Sequence, residues 1–245
     1  MYASAASNDA VPSASTCQPR RLAKHPPSTL GLLSPGALRR AILTLTVVAI
    51  VLGGCLASLR GWQVLALGTA SLLAALAYMG GPRPIAYTPL GELTVLVFFG
   101  FAAVMGTVWL LHAPLSAAAW CVAVAAGSLA AAALAVNNYR DRHHDLGLQR
   151  KTFVVTWGSA AGRRLYATLL AAPMVLAALL SWVAGAVALA IPLLLLRRIW
   201  RLYRDFAQAP EGNGFNPILF RTFLLLLEYA LLQSLGLVAA RWLGA

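Results

Sequence analysis

Charged side chains are scarce in this sequence of 245 residues. They make up 11% of it, whereas a soluble globular domain carries about 25%. Apolar residues make up 60%, which excludes a disordered chain because disorder requires low hydrophobicity. Segments of alternating polarity, the signature of a transmembrane β-barrel, are also missing. Many apolar runs approach the length of about 20 residues that is needed to cross a bilayer. The composition therefore predicts an all-α, polytopic helical membrane bundle.

Cysteine is scarce as well, and the charge that is present has mostly one sign. Cys17, Cys55 and Cys121 are far apart and predict neither a disulfide framework nor a metal site. The 19 Lys and Arg residues exceed the 7 Asp and Glu residues, for a net charge of +12. In a soluble protein this excess would suggest nucleic acid. Among apolar spans it belongs to the loops beside a membrane, so we expect a lipid bilayer and no nucleic acid as partner.

Composition divides the chain into two regions. Residues 1–36 are rich in Ser, Ala and Pro and carry basic residues, which predicts a flexible basic arm. Residues 37–245 predict a transmembrane domain, with a turn at 181–185 dividing its longest apolar run. Seven spans are predicted, at 38–59, 62–80, 92–111, 115–136, 163–181, 184–200 and 217–240.

The basic residues predict the orientation of these spans. If the N-terminus is cytoplasmic, only Arg60 and Arg241 of the 19 Lys and Arg residues fall on the outer side. Such an excess of positive charge marks the cytoplasmic loops of a membrane protein. We therefore expect a multi-pass protein of the cell (inner) membrane, with its polar and active face in the cytoplasm.

The richest polar segment follows the fourth predicted span. Asn137, Asp141 and Asp145 are four residues apart and would share one face of a continuing helix. Two carboxylates at this spacing repel each other unless a cation lies between them, and carboxylate and amide oxygens suit Mg²⁺, which completes its shell with water and phosphates. Arg150 and Lys151 could hold further phosphate oxygens. The segment is thus consistent with a diphosphate held through Mg²⁺ at the membrane surface.

A simpler interpretation of the same segment stays open. Charged residues at a helix end are commonly only solvated, and cytoplasmic loops need Arg and Lys in any case. Asp141 could pair with Arg140 or Arg142. Residue types and spacing do not choose between an ion pair and a metal site.

Two weaker signals lie elsewhere. Tyr78, Arg83, Tyr87 and Glu92 flank a helix-breaking segment rich in Gly and Pro, where Arg83 is either a marker of topology or a ligand of an anionic substrate. Glu228 lies inside the last predicted span. Ionisable residues within a membrane are costly and often functional, but this one could pair with a basic residue of its own helix, Arg221 or Arg241.

Two stretches resemble a known family, the UbiA superfamily of intramembrane aromatic prenyltransferases. Residues 77–100 (AYMGGPRPIAYTPLGELTVLVFFG) are similar to the branch that prenylates 1,4-dihydroxy-2-naphthoate. Residues 137–141 with Asp145 and 150–152 are similar to the second Asp-rich motif of the superfamily. The resemblance runs from about Leu33 to the C-terminus.

The resemblance implies a helical bundle around a lipid-facing cavity and an activity. Family members hold a polyprenyl diphosphate through Mg²⁺ at the cytoplasmic side. Loss of the diphosphate leaves an allylic cation, and the dihydroxynaphthoate ring attacks it and loses carbon dioxide, which leads to demethylmenaquinone and menaquinone.

The resemblance also assigns roles to residues. The implied Mg²⁺ ligands and catalytic residues are Asp141 and Asp145, assisted by Asn137 or Asn138. The implied diphosphate contacts are Arg150 and Lys151. The implied lining of the aromatic or diphosphate site is Tyr78, Arg83 and Tyr87.

The chain departs from the family pattern in two places. The family has two further spans and a first Asp-rich motif before the region that matches Leu33, where this chain has only the arm and one acidic residue, Asp9. Gln149 stands where a glycine is often found. We therefore expect a truncated N-terminus and impaired activity. The alternatives are prenyl transfer to another acceptor such as 4-hydroxybenzoate, a non-catalytic membrane protein that binds isoprenoid or quinone, and a transporter.

Overall fold

The computed structural model describes residues 34–244, and it is helical with no strand in that part of the chain. The predicted arm, 1–36, and Asp9 lie almost wholly outside the described residues. Five helices of the described part are long and apolar enough to cross a membrane. The expected all-α membrane bundle is thereby confirmed.

The first helix, α1, covers Pro35–Arg60 and confirms the span predicted at 38–59. The most apolar 18 residues within Gly36–Arg60 have a mean hydropathy of 2.4, and none of them is buried within the protein. A helix that exposes apolar side chains in this way needs lipid around it.

The second and third predicted spans are short or irregular helices. Helix α2, Gln63–Met79, has 17 residues, and a 3₁₀ turn at Ile85–Tyr87 follows it. Helix α3, Gly91–Leu96, continues without a break through a π-helical segment, Val97–Met105, into α4, Gly106–Leu110. Together they form one apolar span, Gly91–Leu110, one residue from the predicted 92–111.

Helix α5, Ala117–Gly147, is the most buried of the spans. The Ser116 hydroxyl oxygen caps it by accepting a bond of 3.3 Å from the Ala119 backbone N–H. Small side chains let other helices approach closely, and alanines 130–133 are buried. Where Gly127 crosses the π-helical segment at Gly100, backbone meets backbone. The helix extends beyond the predicted end at 136 and carries the polar residues that follow it.

The fifth predicted span begins too late, but the turn predicted to end it is confirmed. Helix α6 covers Phe153–Ala184, ten residues more at its start than the predicted 163–181. The predicted span began at Arg163, but the helix already includes the ten residues before it. Arg163 and Arg164 are exposed on its surface, where long basic side chains can extend to the polar interface. Gly185, in the left-handed conformation with φ 65°, ends the helix, inside the turn predicted at 181–185.

The last part of the chain forms two helical stretches, of which only the second is long and apolar enough to cross a membrane. A 3₁₀ segment, Val187–Leu195, leads into α7, Leu196–Gln208, so the span predicted at 184–200 begins and ends later than expected. After a 3₁₀ turn at Gly212–Phe215, α8 covers Asn216–Trp242 and confirms the span predicted at 217–240.

Two ion pairs join α7 to α8 and correct the expectation for Glu228. Its carboxylate lies 2.5 Å from a guanidinium nitrogen of Arg198, not of Arg221 or Arg241. Arg221 instead pairs with Asp205 at 2.8 Å. The partners of Glu228 and Arg221, Arg198 and Asp205, both lie on α7. This helix runs antiparallel to α8 and offers charges that the spacing of residues along α8 does not reveal.

An aromatic cluster fixes the end of α5 that carries the polar residues. The Phe206 ring of α7 lies 4.8 Å from the ring of Tyr139 and 4.3 Å from that of Tyr166, measured between centroids. Phe215 packs against both Tyr139 and Phe206 at 5.3 Å. The Tyr166 and Thr222 hydroxyls share a hydrogen bond of 2.9 Å. This cluster buries the side of α5 opposite to the one that faces the site.

Candidate active site

One cavity of about 220 Å³ lies beside the last turns of α5, and it brings together most of the residues singled out in the sequence. Those of the predicted set that line it are Tyr78, Tyr87, Asn137, Asn138, Asp141, Asp145 and Arg150. Because α5 stays helical to Gly147, Asn137, Asp141 and Asp145 lie on one face of it, as their spacing predicts.

Asp145 is the more buried of the two aspartates and is held by Arg150. Asp145 is 4% exposed, and its Oδ1 accepts a hydrogen bond of 3.0 Å from Arg150 Nη1. The same guanidinium stacks on the Tyr87 ring, 4.2 Å from the centroid, and lies 3.4 Å from its hydroxyl. The Lys151 backbone N–H donates to the Tyr87 carbonyl at 2.9 Å. These contacts join the loop after α5 to the loop after α2.

The loop between Asp145 and Arg150 depends on one unusual backbone conformation. Gln149 has φ 56°, in the left-handed region that favours glycine. This allows the Arg150 backbone N–H to donate to the Asp145 carbonyl at 2.9 Å and turns the guanidinium towards the carboxylate. The structure thus gives a physical reason for a glycine at this position, and Gln149 adopts the conformation without one.

Asp141 is more exposed, at 37% of its side chain, and it pairs with Arg140. Nε and Nη2 of Arg140 each donate to one carboxylate oxygen at 2.8 Å. The guanidinium also donates to the Asn137 amide oxygen at 2.7 Å and to that of Asn216, on α8, at 2.9 Å. Of the two partners suggested by the sequence, the structure selects Arg140.

Arg142 turns away from this cavity. Its guanidinium pairs with Glu211 and lies 4.5 Å from the centroid of the Tyr139 ring. It therefore helps to fix the loop before α8, and it leaves Asp141 to Arg140.

A buried contact behind the cavity was only partly foreseen. Glu92, on the first turn of α3, is 5% exposed, and its Oε1 accepts a hydrogen bond of 2.9 Å from the Asn138 amide nitrogen. Its Oε2 has no hydrogen-bond partner among the described residues. Sequence analysis noted Glu92 and Asn138 separately, but 46 residues separate them and no local pattern predicts the contact.

Two residues of the predicted set do not line the cavity. Arg83 is exposed in the loop after α2, and the Lys151 side chain is exposed where α6 is about to begin. Thr152, which was not singled out as a contact, does line the cavity. It is 2% exposed, and its hydroxyl oxygen has no hydrogen-bond partner in the described part of the chain.

The donors around the cavity fit Mg²⁺ in their chemistry. Every side-chain group on the α5 wall that could bind a cation offers oxygen: the carboxylates of Asp141 and Asp145 and the amides of Asn137 and Asn138. Within residues 34–244, no three His, Cys, Asp or Glu side chains cluster closely enough to hold a metal by themselves. That is compatible with Mg²⁺, which is usually bound by one or two carboxylates together with water and substrate phosphates.

A second, apolar cavity adjoins the first. It has about 290 Å³ and lies between α2 and the span Gly91–Leu110. Tyr78 and Met79 line both cavities. Its other lining residues are Ser71, Ala74, Ala75, Thr94, Val95, Phe98 and Phe99. A polar cavity with two carboxylates and an arginine therefore adjoins an apolar cavity.

Comparison with known proteins identifies the class. Residues 17–227 match the UbiA prenyltransferase family, and the chain belongs to that family. Among curated proteins, it is similar to two named 1,4-dihydroxy-2-naphthoate octaprenyltransferase. That of Escherichia coli (strain K12) is 34% identical over 228 residues, covering 86% of this chain and 71% of the relative. That of Mycobacterium leprae (strain TN) is 32% identical over 212 residues, 83% of this chain and 70% of the relative. No solved structure matches the chain significantly. The family resemblance seen in the sequence is confirmed.

Proposed function

We propose that this protein transfers a polyprenyl group from its diphosphate to 1,4-dihydroxy-2-naphthoate, a step of menaquinone biosynthesis. The observation that carries the proposal is a polar cavity that adjoins an apolar one. Asp141, Asp145 and Arg150 line the polar cavity, and Tyr78 and Met79 line both. A prenyl diphosphate has the same two parts, an anionic head and an apolar chain. The curated relatives that are named for this reaction support the choice of acceptor.

The diphosphate is held, in this proposal, by cationic and polar groups at the start of α6. Arg150 supplies positive charge from the lining of the cavity, and Lys151 supplies it from the adjacent exposed position. Thr152 supplies a buried hydroxyl that has no partner among the described residues. Residue 152 directly precedes α6, and the N-terminus of a helix attracts anions through its free N–H groups and its dipole. Arg150 is rigid enough for this task, since Asp145 and the Tyr87 ring hold it on two sides.

Asp141, Asp145 and Asn137 would hold Mg²⁺ against this diphosphate. Bound there, the ion would neutralise charge that develops on the leaving group. The C–O bond to the prenyl chain breaks and its electron pair leaves with the diphosphate. The Tyr78 and Tyr87 rings line the cavity and would stabilise the allylic cation through their faces. A carbon of the electron-rich naphthoate ring forms the new bond. The carboxylate is lost as carbon dioxide and leaves the electron pair of its C–C bond on the ring, giving the quinol of demethylmenaquinone.

The proposed setting is the inner membrane of the cell, with this cavity at the cytoplasmic face. The distribution of basic residues supports it, since only Arg60 and Arg241 fall on the other side. Arg60, at the end of α1, lies 3.0 Å from the His112 ring, which follows the span Gly91–Leu110, and neither residue lines the cavity.

Membranes that contain the protein provide the test. They are incubated with dihydroxynaphthoate, octaprenyl diphosphate and Mg²⁺, and demethylmenaquinone is measured by chromatography and mass spectrometry after oxidation in air. We expect product from the unchanged chain, its loss on addition of EDTA, and its return with excess Mg²⁺. Product formation without any divalent cation would contradict the metal, and no product under any condition would contradict the reaction.

A matched set of variants localises the activity. Asp141→Asn and Asp145→Asn keep the side-chain shape but remove the charge, and we expect each to lower the rate about 100-fold or more. Asp205→Asn is the control, because its side chain is 36% exposed and bound to an arginine at 2.8 Å, like that of Asp141, but lies outside the cavity. Its rate should change less than about threefold. Equal losses of rate in all three variants would show that this cavity is not the active site.

The acceptor is tested by competition. With 4-hydroxybenzoate and dihydroxynaphthoate present at equal concentration, the prenylated naphthoquinone should dominate. Preferential prenylation of 4-hydroxybenzoate would keep the reaction class and reject the acceptor.

A further inference from the structure

A third cavity, of about 430 Å³, lies where α7 meets α8, and its lining is basic. Four arginines line it together with three leucines: Arg197, Arg198, Arg201, Arg221, Leu194, Leu195 and Leu202. It shares no residue with the cavity of the candidate active site. The proposed reaction makes no use of it.

The positive charge of this cavity is only half compensated. Arg198 pairs with Glu228 and Arg221 pairs with Asp205. The side chains of Arg197 and Arg201, by contrast, have no ion pair or hydrogen bond with any other residue of the described part. They lie four residues apart on α7 and therefore repel each other on one face of the helix. An anion between them would remove this repulsion.

The surroundings of the cavity are those of a lipid ligand. Leu194 lines the cavity and is exposed, and Leu196 and Trp200 of the same segment are exposed as well. In a protein that spans a bilayer, such side chains contact lipid, and Trp with Arg is typical of the level of the headgroups. A ligand at this place therefore needs a negative headgroup beside an apolar chain. Basic pockets between transmembrane helices bind the headgroups of anionic lipids.

We propose that Arg197 and Arg201 bind the phosphate of an anionic phospholipid, whose acyl chain lies against Leu194. Arg198 and Arg221 are held by their carboxylate partners and shape the two sides of the site. A zwitterionic phospholipid also has a phosphate, but its ammonium group offsets the charge and would face the same arginines. The site therefore prefers an anionic headgroup.

Lipid binding is measured on the full chain, independently of prenyl transfer. The protein, purified in detergent, is titrated with phosphatidylglycerol or with phosphatidylcholine, and bound lipid is counted by native mass spectrometry. We expect phosphatidylglycerol to bind at least about tenfold more tightly. The variant Arg197→Gln/Arg201→Gln should lose this preference. The control Arg163→Gln/Arg164→Gln removes the same charge from exposed positions of α6 that do not line the cavity, and it should keep the preference.

The source of the phosphate is tested in the same titration. Inorganic diphosphate and farnesyl diphosphate are added as competitors, and neither should displace phosphatidylglycerol at concentrations that saturate the active site. Displacement by farnesyl diphosphate that disappears in Arg197→Gln/Arg201→Gln would assign the site to a prenyl diphosphate and overturn the proposal.

Folding of the double variant is checked by its melting temperature in phosphatidylcholine alone. It should be no lower than that of the unchanged chain, because neither arginine has a partner to lose in the described part and their mutual repulsion is removed. Equal affinity for both phospholipids, or equal loss in the α6 control, would reduce the cluster to a marker of orientation and refute the proposal.

Discussion

The crossing of α5 with the π-helical segment is the contact most sensitive to a single methyl group. A Cβ added at Gly127 would lie 3.0 Å from Gly100 Cα and closer still to the Leu96 carbonyl oxygen. Both are backbone atoms and cannot turn away as the end of a side chain can, so Gly127→Ala must separate the two helices. Forcing an extra carbon into a packed site costs about 1–3 kcal/mol.

The loss of stability in Gly127→Ala is best measured relative to the same substitution at a glycine that has free space around it. Gly68 is in α2, and a Cβ there would meet nothing within 4 Å, so Gly68→Ala should gain up to about 1 kcal/mol from helix propensity alone. Gly127→Ala has the same gain and also the steric cost. The two variants should therefore differ by about 1–3 kcal/mol, which corresponds to roughly 2–4 °C of melting temperature per kcal/mol for a chain of this size.

The same substitution should reach the candidate active site. Gly127 and Asn138 lie on one helix, while Leu96 and Glu92 lie on the other, so separation of the helices lengthens the hydrogen bond from Asn138 to Glu92. We expect slower prenyl transfer per folded molecule at a temperature where Gly127→Ala is still folded. The assay is a melting curve in detergent, followed by product formation in membranes. Melting of Gly127→Ala at or above the temperature of Gly68→Ala would refute the reasoning.

Three further predictions concern the walls of the cavity. Asn138→Ala leaves the buried Glu92 carboxyl without its donor and should lower the free energy of unfolding by about 1–3 kcal/mol; the double variant with Glu92→Ala should recover part of it, and simple additivity of the two losses would contradict a direct coupling. Tyr87→Phe keeps the aromatic face under Arg150 and should change KM for the prenyl diphosphate less than about threefold, whereas Tyr87→Leu should raise KM by about tenfold. An equal rise of KM in both variants would show that the hydroxyl, 3.4 Å from the guanidinium, matters more than the ring. Gln149→Gly relieves a left-handed conformation that costs about 1–2 kcal/mol and should raise the melting temperature, while an unchanged or lower value would mean that glycine's entropy in the unfolded chain outweighs the relief.

The membrane fold is largely readable from the sequence because one property dominates it. A bilayer accepts apolar helices of defined length, so runs of hydrophobic residues predict spans directly. The predicted 38–59 and 217–240 lie on α1 and α8 within a few residues. The glycine at 185 also ends a helix as its type suggests.

The errors in the span boundaries share a physical cause. Hydropathy registers where a helix is apolar, not where its hydrogen bonding ends. Helix α5 continues through charged residues to Gly147, and α6 begins at Phe153, well before its apolar part. The segment at 187–195 is apolar but 3₁₀-helical, and a lipid-facing composition contains no information on which hydrogen-bond pattern the backbone adopts.

The sequence likewise predicts one part of the candidate site and misses another. Asn137, Asp141 and Asp145 share a face because they share a helix, and their spacing is sufficient to predict this. The bonds from Asn138 to Glu92, from Arg140 to Asn216 and from Lys151 to Tyr87 join elements that are far apart in the chain. A single sequence offers no signal for such contacts. It also could not show that the exposed Arg83 lies outside the cavity.

The pairing of the two aspartates changes what their spacing can prove. The sequence suggests that two carboxylates four residues apart need a cation, and the structure already provides one for each: Arg140 for Asp141 and Arg150 for Asp145. Their mutual repulsion is therefore relieved within the protein, and spacing alone no longer argues for a metal. The case for Mg²⁺ depends instead on what the arginines do not explain. Four oxygen-bearing side chains of α5 line the same cavity, the Thr152 hydroxyl in it has no partner among the described residues, and an apolar cavity suited to a prenyl chain adjoins it. A diphosphate brings its own negative charge, and the two guanidiniums can offset only part of it while they remain paired with the aspartates. A divalent cation would supply the remainder, which is why chelation with EDTA is a sharper test of this site than removal of either arginine.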